Sequence, residues 1–167
     1  MIPERIQEAI NTQIGHELAS AYAYLGMSTY CQSVELTGFA AWLRAQAREE
    51  VEHAMKFMGF VEERGGSVRL PAVGEASTRY DSILHVFETA LAQERKVSAL
   101  INDIYALAVD ERDYPTQVML QWFITEQVEE ESTFEQMVGK LRMLGDSRDS
   151  IFLLDRDAAQ RGSETAQ

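Results

Sequence analysis

Four long stretches of this chain repeat apolar residues at helical spacing, and each is interrupted near its middle by a carboxylate. The first reads Ile6, Ile10, Gln13, Glu17, Ala21, Tyr24, Ser28, Cys31. The second reads Phe39, Leu43, Gln46, Glu50, His53, Phe57, Phe60. The third reads Ile83, Phe87, Ala90, Glu94, Val97, Ile101, Ile104, Ala108, with Glu94 its only charge. The fourth reads Met119, Phe123, Glu126, Glu130, Phe134, Met137, Leu141, Leu144. Steps of three and four put each set on one helix face. A single glutamate at such a position is ordinarily a boundary residue that reaches water. Glu17, Glu50, Glu94 and Glu130, joined by His53, fall in one layer and need another account. Burying several carboxylates together is costly unless a cation neutralises them.

The helices are predicted over about 3–33, 37–64, 81–109 and 114–144, with a short fifth over about 148–161. Pro3 and Pro115 suit first-turn positions, and Pro71 belongs to a loop. Gly65-Gly66, Gly145 and Gly162 are expected to stop the second, fourth and fifth helices. The first and second helices are joined by a short link, as are the third and fourth, so each pair is an antiparallel hairpin. Residues 65–80 form a 16-residue connection with glycine, proline, serine and threonine. It is long enough to run the length of a bundle and leave the second and third helices parallel. The expected fold is all-α: a four-helix bundle with one long crossover and a short C-terminal helix.

The acids repeat as well. Glu17 precedes Glu50 by 33 residues, and His53 follows three later. Glu94 precedes Gln127 by 33 residues, and Glu130 follows three later. Each hairpin thus offers one acid from its first helix and an i, i+3 pair from its second, which share a helix face. Glu50 and Glu94 are candidate bridges between two ions. Carboxylates with one imidazole suit Fe(II), Fe(III), Mn(II) or Zn(II), and the lack of thiolate speaks against structural zinc. His16 and His85 lie off these faces and read as surface residues. Met55 and Met58 read as packing, and Glu131 as part of a solvated charge run. Tyr24 shares the stripe of Glu17; it is a core residue or a phenol that bonds a ligand.

Composition narrows the partners. With 27 acidic and 15 basic residues the formal charge is −12, and no basic cluster exceeds a pair such as Arg95–Lys96. Nucleic acid and anionic membranes are therefore excluded as partners, and metal cations are favoured. One cysteine, Cys31, gives no disulfide framework and no cysteine metal site. No apolar run approaches the ~20 residues of a membrane span. Met1-Ile2-Pro3-Glu4-Arg5 resembles neither a signal nor a transit peptide, which predicts a cytoplasmic protein. The 167 residues suffice for one domain, expected over 1–162, followed by a polar tail at 163–167.

Glu49-Glu50-x-x-His53, Gln127-x-x-Glu130 and the segment Ile151-Phe152-Leu153-Leu154-Asp155 together resemble the ferritin family, specifically its prokaryotic non-haem branch. The resemblance covers about residues 1–162. It implies that Glu17, Glu50 and His53 hold a first iron, and that Glu94, Glu130 and a shared Glu50 hold a second. Gln127 is then a hydrogen-bond partner of the ligands. Tyr24 matches the family's tyrosine beside the centre. Glu49, Glu126, Glu129 and Glu130 match a third iron site. It further implies a hollow homo-oligomer of 24 subunits, in which Fe(II) is oxidised by dioxygen or peroxide and stored as ferric mineral.

Departures refine the resemblance. Val51 stands where the haem-binding relatives have methionine, so haem is not expected. Those relatives carry Glu-x-x-His where this chain has Gln127-x-x-Glu130. The acids that line three-fold pores in animal ferritins correspond to Gln117 and Leu120 here. A rubrerythrin-like peroxide reductase usually adds a four-cysteine module, which one cysteine cannot build. A DNA-protecting mini-ferritin shares its metal site between subunits, whereas this ligand set is complete in one chain. A shell subunit without oxidase activity is disfavoured by the intact ligand set.

Overall fold

Five helices in chain order make up the computed structural model, which describes the backbone of residues 1–164 and the side chains of residues 1–160. They are α1 (Glu4–Ser33), α2 (Thr37–Glu63), α3 (Ile83–Asp110), α4 (Tyr114–Leu144) and α5 (Arg148–Glu164). The first four fall within a few residues of the ranges expected from periodicity. Pro3 sits at the N-cap of α1, and Pro115 lies in the first turn of α4. Ser82 caps α3, its hydroxyl oxygen accepting from the His85 N–H at 3.1 Å. Gly145, at φ 54°, ends α4. One expected stop fails: α5 continues through Gly162 to Glu164. Glycine inside a helix costs only about 1 kcal/mol relative to alanine, so it is a weak terminator without a left-handed turn after it. The expected tail at 163–167 is helical as far as Glu164, and its remainder lies outside the described residues.

Ring contacts set the helix directions. Phe39 and Trp42, early in α2, meet Phe87, early in α3, so these two helices run parallel. Trp42 also stacks on Phe134, late in α4, and Phe57 stacks on Phe123, early in α4, so α2 and α4 run antiparallel. The parallel pair requires the long crossover, residues 64–82, to return along the bundle. It does so against α1. A methyl group added at Gly26 would lie 2.3 Å from the Ser77 carbonyl oxygen. Only glycine allows the crossover backbone to lie that close.

The apolar interior is divided in two. One cluster holds Tyr24, Met27, Phe39, Leu43, Phe87, Phe134 and Leu141. The other holds Ile6, Ile10, Ile14, Phe57, Val61, Ile101, Leu120 and Phe123. On every helix of the bundle the acid of the stripe falls between the two: Glu17, Glu50, Glu94 and Glu130 are all buried. Burial of these long side chains at both ends supplies the main favourable term, about 1.5–3 kcal/mol for each large apolar group.

The α4 stripe needs correction. Its buried face runs Leu120, Phe123, Gln127, Glu130, Phe134, whereas Met119 and Glu126 are only half-buried. Counting from Phe123 by three lands on Glu126, but a step of four is the one the helix takes to the core. Phe60 and Leu144, at stripe ends, are likewise half-buried. Leu120 is fully buried in the bundle, and the Gln117 amide donates to the Ala108 carbonyl at 3.0 Å. The Leu120 side chain is thus committed to the core of the bundle and not to its surface.

α5 is fastened by a carboxylate. The N-terminus of α2 has no cap from its own neighbours. Asp155 of α5 serves instead, accepting from the Phe39 N–H at 2.7 Å and the Gly38 N–H at 3.1 Å. A methyl at Gly38 would collide with the Asp155 carbonyl oxygen at 1.8 Å. Replacing a capping carboxylate costs about 0.5–2 kcal/mol. Asp155→Ala should therefore lower the thermal midpoint by several degrees, with α5 becoming protease-sensitive first; limited proteolysis followed by mass spectrometry checks the order.

Candidate metal centre

Glu17 on α1 and Glu50 and His53 on α2 each turn a potential ligand atom toward the others, all within 4.8 Å. His53 follows Glu50 by one helical turn, with its Nδ1 3.7 Å from Glu50 Oε2. All three are buried. Glu17 Oε1 accepts from the Gln13 amide at 2.7 Å, whereas Glu17 Oε2 and Glu50 Oε1 have no hydrogen-bond partner. Buried carboxylate oxygens are ordinarily satisfied. Two orphaned oxygens beside an imidazole fit a hard-to-borderline cation, and the donor set suits iron, manganese or zinc.

Glu94 and Glu130 face this group from the other hairpin. Glu94 lies on α3 with both carboxylate oxygens engaged. The Tyr24 phenol donates to Oε1, and the Gln127 amide donates to Oε2 at 3.1 Å and to the Glu94 carbonyl at 3.2 Å. Gln127 is also 3.4 Å from the Ser98 hydroxyl, which donates to Glu131. The expected solvated residue Glu131 is thus half-buried and bonded. Neither Glu94 nor Glu130 joins the tight three-residue group, yet the negative charge of both reaches Glu50.

The electrostatics follow from burial. Loss of hydration pushes the Glu17 carboxyl well above the ordinary carboxylate range, and the charge of Glu50 pushes it further. Glu50 is raised for the same reason, with Glu94 and then Glu130 adding repulsion. Burial also raises Glu94, while the hydrogen bonds from Tyr24 and Gln127 oppose the shift. Tyr24 is driven well above its usual value by burial and then by Glu94, so it remains a phenol. Without a cation the layer holds protons; a cation that enters must displace them.

The residues expected at a further site are only partly gathered. Glu49 and Glu126 line a cleft of about 320 Å³ with Arg48, Glu52, His53 and Trp122. Glu129 is exposed and is not among the residues that line it. Sequence reasoning passed over Trp122, which meets His53 edge-on at 5.5 Å and carries Lys56 Nζ 3.2 Å above its ring. Its position beside Phe123, just off the stripe, was the available signal. His16 and His85 are outside the group, as expected, though His16 is half-buried. Among the described residues no helix is long and apolar enough to cross a membrane.

Comparison with known proteins agrees with this geometry. The ferritin-like domain family matches residues 7–144. The chain is 35% identical over 161 residues to the bacterial non-heme ferritin of Staphylococcus haemolyticus, covering 96% of this chain and 97% of that protein. It superposes with a TM-score of 0.95 on an open-pore ferritin from the hyperthermophilic archaeon Archaeoglobus fulgidus, at 42% identity over 96% of this chain and 99% of that one. A humanized archaeal ferritin matches at 39% identity and a TM-score of 0.95, covering 96% and 98%. A ferritin-like bundle with a carboxylate and imidazole layer is the class that fold and site define. The chain belongs to the ferritin family, in its prokaryotic non-haem branch.

A raised carboxyl destabilises the metal-free protein as pH rises. The folded state keeps its proton above the ordinary value of 4.5, while the unfolded chain releases it, so stability falls from that pH up to the folded pKa. Glu17→Gln removes this linkage. Its thermal midpoint relative to wild type should therefore climb across that window in chelator-treated samples. A constant difference from pH 4 to pH 8 would contradict the assignment.

Proposed function

We propose that this chain is a ferroxidase and iron-storage subunit, which oxidises Fe(II) at a di-iron centre within one chain and stores the Fe(III) product. The observation that carries this reading is the pair of orphaned oxygens, Glu17 Oε2 and Glu50 Oε1, beside His53 in an otherwise apolar bundle. Glu17, Glu50 and His53 bind one Fe(II). Glu94 and Glu130 bind the other, with Glu50 shared between them. Iron and dioxygen, or peroxide, supply the redox chemistry. The protein contributes positions, charge and proton acceptance.

Each role has a structural reason. Glu50 is assigned the bridge because it groups with Glu17 and His53 while the charges of Glu94 and Glu130 both reach it, and its Oε1 has no partner of normal geometry. Gln127 and Tyr24 fix Glu94 by one donor to each oxygen. Positioned donors of this kind restrict a ligand to one orientation. The buried acids release their protons as Fe(II) arrives, and anionic carboxylates favour the more highly charged Fe(III). A third iron site would draw on Glu49 and Glu126, which line the cleft beside His53, and on Glu129 and Glu130, which do not. Twenty-four copies close into a hollow shell in the cytoplasm, and its cavity receives the ferric product.

Aerobic Fe(II) addition to the purified protein tests this, with stopped-flow absorbance for oxidation and native mass for assembly and iron retention. Wild type should form a large particle and retain iron. Glu50→Ala should lose the rapid phase while the particle mass stays the same, and His53→Ala should slow that phase by about tenfold or more. Wild-type oxidation rates in Glu50→Ala would refute the reading.

A further inference from the structure

Two of the apolar stripes carry a glutamine one turn before their glutamate: Gln13 before Glu17, and Gln46 before Glu50. Both glutamines are buried, each 1% exposed. They share a spacing but not a geometry. Gln13 Nε2 donates to Glu17 Oε1 at 2.7 Å. Gln46 Nε2 makes no hydrogen bond of normal geometry. Glu17 therefore has one oxygen held by an amide at close range and one not, whereas Gln46 reaches Glu50 only weakly and leaves Glu50 Oε1 without a partner of normal geometry.

We propose that Gln13 is a positioning residue that restricts Glu17 to binding metal through a single oxygen, Oε2. The proposal rests on reading the layer as a metal centre. A carboxylate can bind an ion through one oxygen or chelate it with two. Chelation by Glu17 would require Oε1 to leave the Gln13 amide. That amide would then be stranded in the core, because Gln13 is buried and its backbone is fixed in α1. An unsatisfied buried donor is costly. The free oxygen, already without a partner, is the one presented to the ion. Glu50 has no amide donor as close as this one, and its Oε1 has no partner of normal geometry.

Gln13 also lines a cavity of about 260 Å³ at the outer face of α1 and α3, with Ala9, His16, Leu100 and Ile104. Truncation there would enlarge the cavity toward the acids and mix two effects. Gln13→Met keeps the length and removes the donor, so it isolates the hydrogen bond.

The test uses redox-inert binding of Co(II) to the assembled protein under anaerobic conditions. Gln13→Met should bind Co(II) about 10- to 100-fold more weakly, the range found when a ligand's hydrogen-bond partner is lost. Its visible Co(II) bands should also weaken, because a second oxygen from Glu17 raises the coordination number. Wild-type affinity and bands in Gln13→Met would overturn the proposal while leaving the metal centre standing. Failure of the wild-type protein to bind Co(II) would instead overturn the metal-centre reading, and this proposal with it. A second measurement does not depend on the variant folding. In wild type, Zn(II)-induced infrared difference spectra, with those of Glu17→Gln subtracted, should show the wide carboxylate splitting of a one-oxygen ligand. A narrow splitting, the mark of a chelate, would overturn it.

Discussion

Repulsion among Glu17, Glu50, Glu94 and Glu130 is the term to which the rest of this structure answers. Ligand atoms of Glu17 and Glu50 approach within 4.8 Å. At an effective dielectric near 20, two like charges at that separation repel by roughly 3–4 kcal/mol, before any loss of hydration. Whole-domain stabilities are only about 5–15 kcal/mol. A layer with all four acids ionised and no cation is therefore not a state the fold can sustain. The raised carboxyls of Glu17, Glu50 and Glu94 express this: burial and mutual repulsion favour the neutral form when no cation is present. Protons and a cation would compete for the same oxygens.

Holding such a layer requires stiff walls. The two apolar clusters clamp the bundle on both sides of the acids, with stacked pairs Trp42–Phe134 at one end and Phe57–Phe123 at the other. The crossover closes the long side of α1, where Gly26 lets the backbone at Ser77 lie against the helix. Asp155 joins α5 to the start of α2, the helix that carries Glu50 and His53. The ring pairs flank the layer directly, Phe123 against His53 and Phe134 against Tyr24, whereas the crossover and Asp155 act on the helices from outside it. Their common effect is to limit helix sliding, and a shift of about 1.5 Å is already one residue of rise.

Much of this was legible in the chain because helical periodicity and metal chemistry leave marks in residue order. The acids on α1, α2 and α3 sit where steps of three and four placed them, and the long connection dictated a parallel α2 and α3. The reading slipped on α4, where both Glu126 and Gln127 are compatible with the count from Phe123. A local pattern cannot choose between a step of three and a step of four; the packing of Leu120 and Phe134 does. Gly162 misled for a related reason, since glycine stops a helix only when the backbone beyond it turns left-handed. The contacts of Gln13 and Trp122 were not legible, although their places on or beside the stripes were. They depend on which atom of a side chain faces which neighbour, and spacing carries no such information.

The near-repeat of the two hairpins breaks at one informative place. Gln127 occupies the position that matches Glu50, and Glu130 the one that matches His53. A carboxylate at 127 would bring a fifth negative charge into the layer and leave Glu94 Oε2 without its donor. With an amide there, the layer has four carboxylates: Glu17, Glu50, Glu94 and Glu130. Two divalent ions would neutralise them. Oxidation of both ions would add two positive charges that the four carboxylates do not balance, so the anionic oxygen species formed from the oxidant and water would have to make up the difference. The adjoining cleft carries the acids Glu49, Glu52 and Glu126 together with Arg48 and Lys56. On the proposed ferroxidase reading, four carboxylates match the charge of two Fe(II) and not of two Fe(III), so a ferric product would depend on anions from outside the layer.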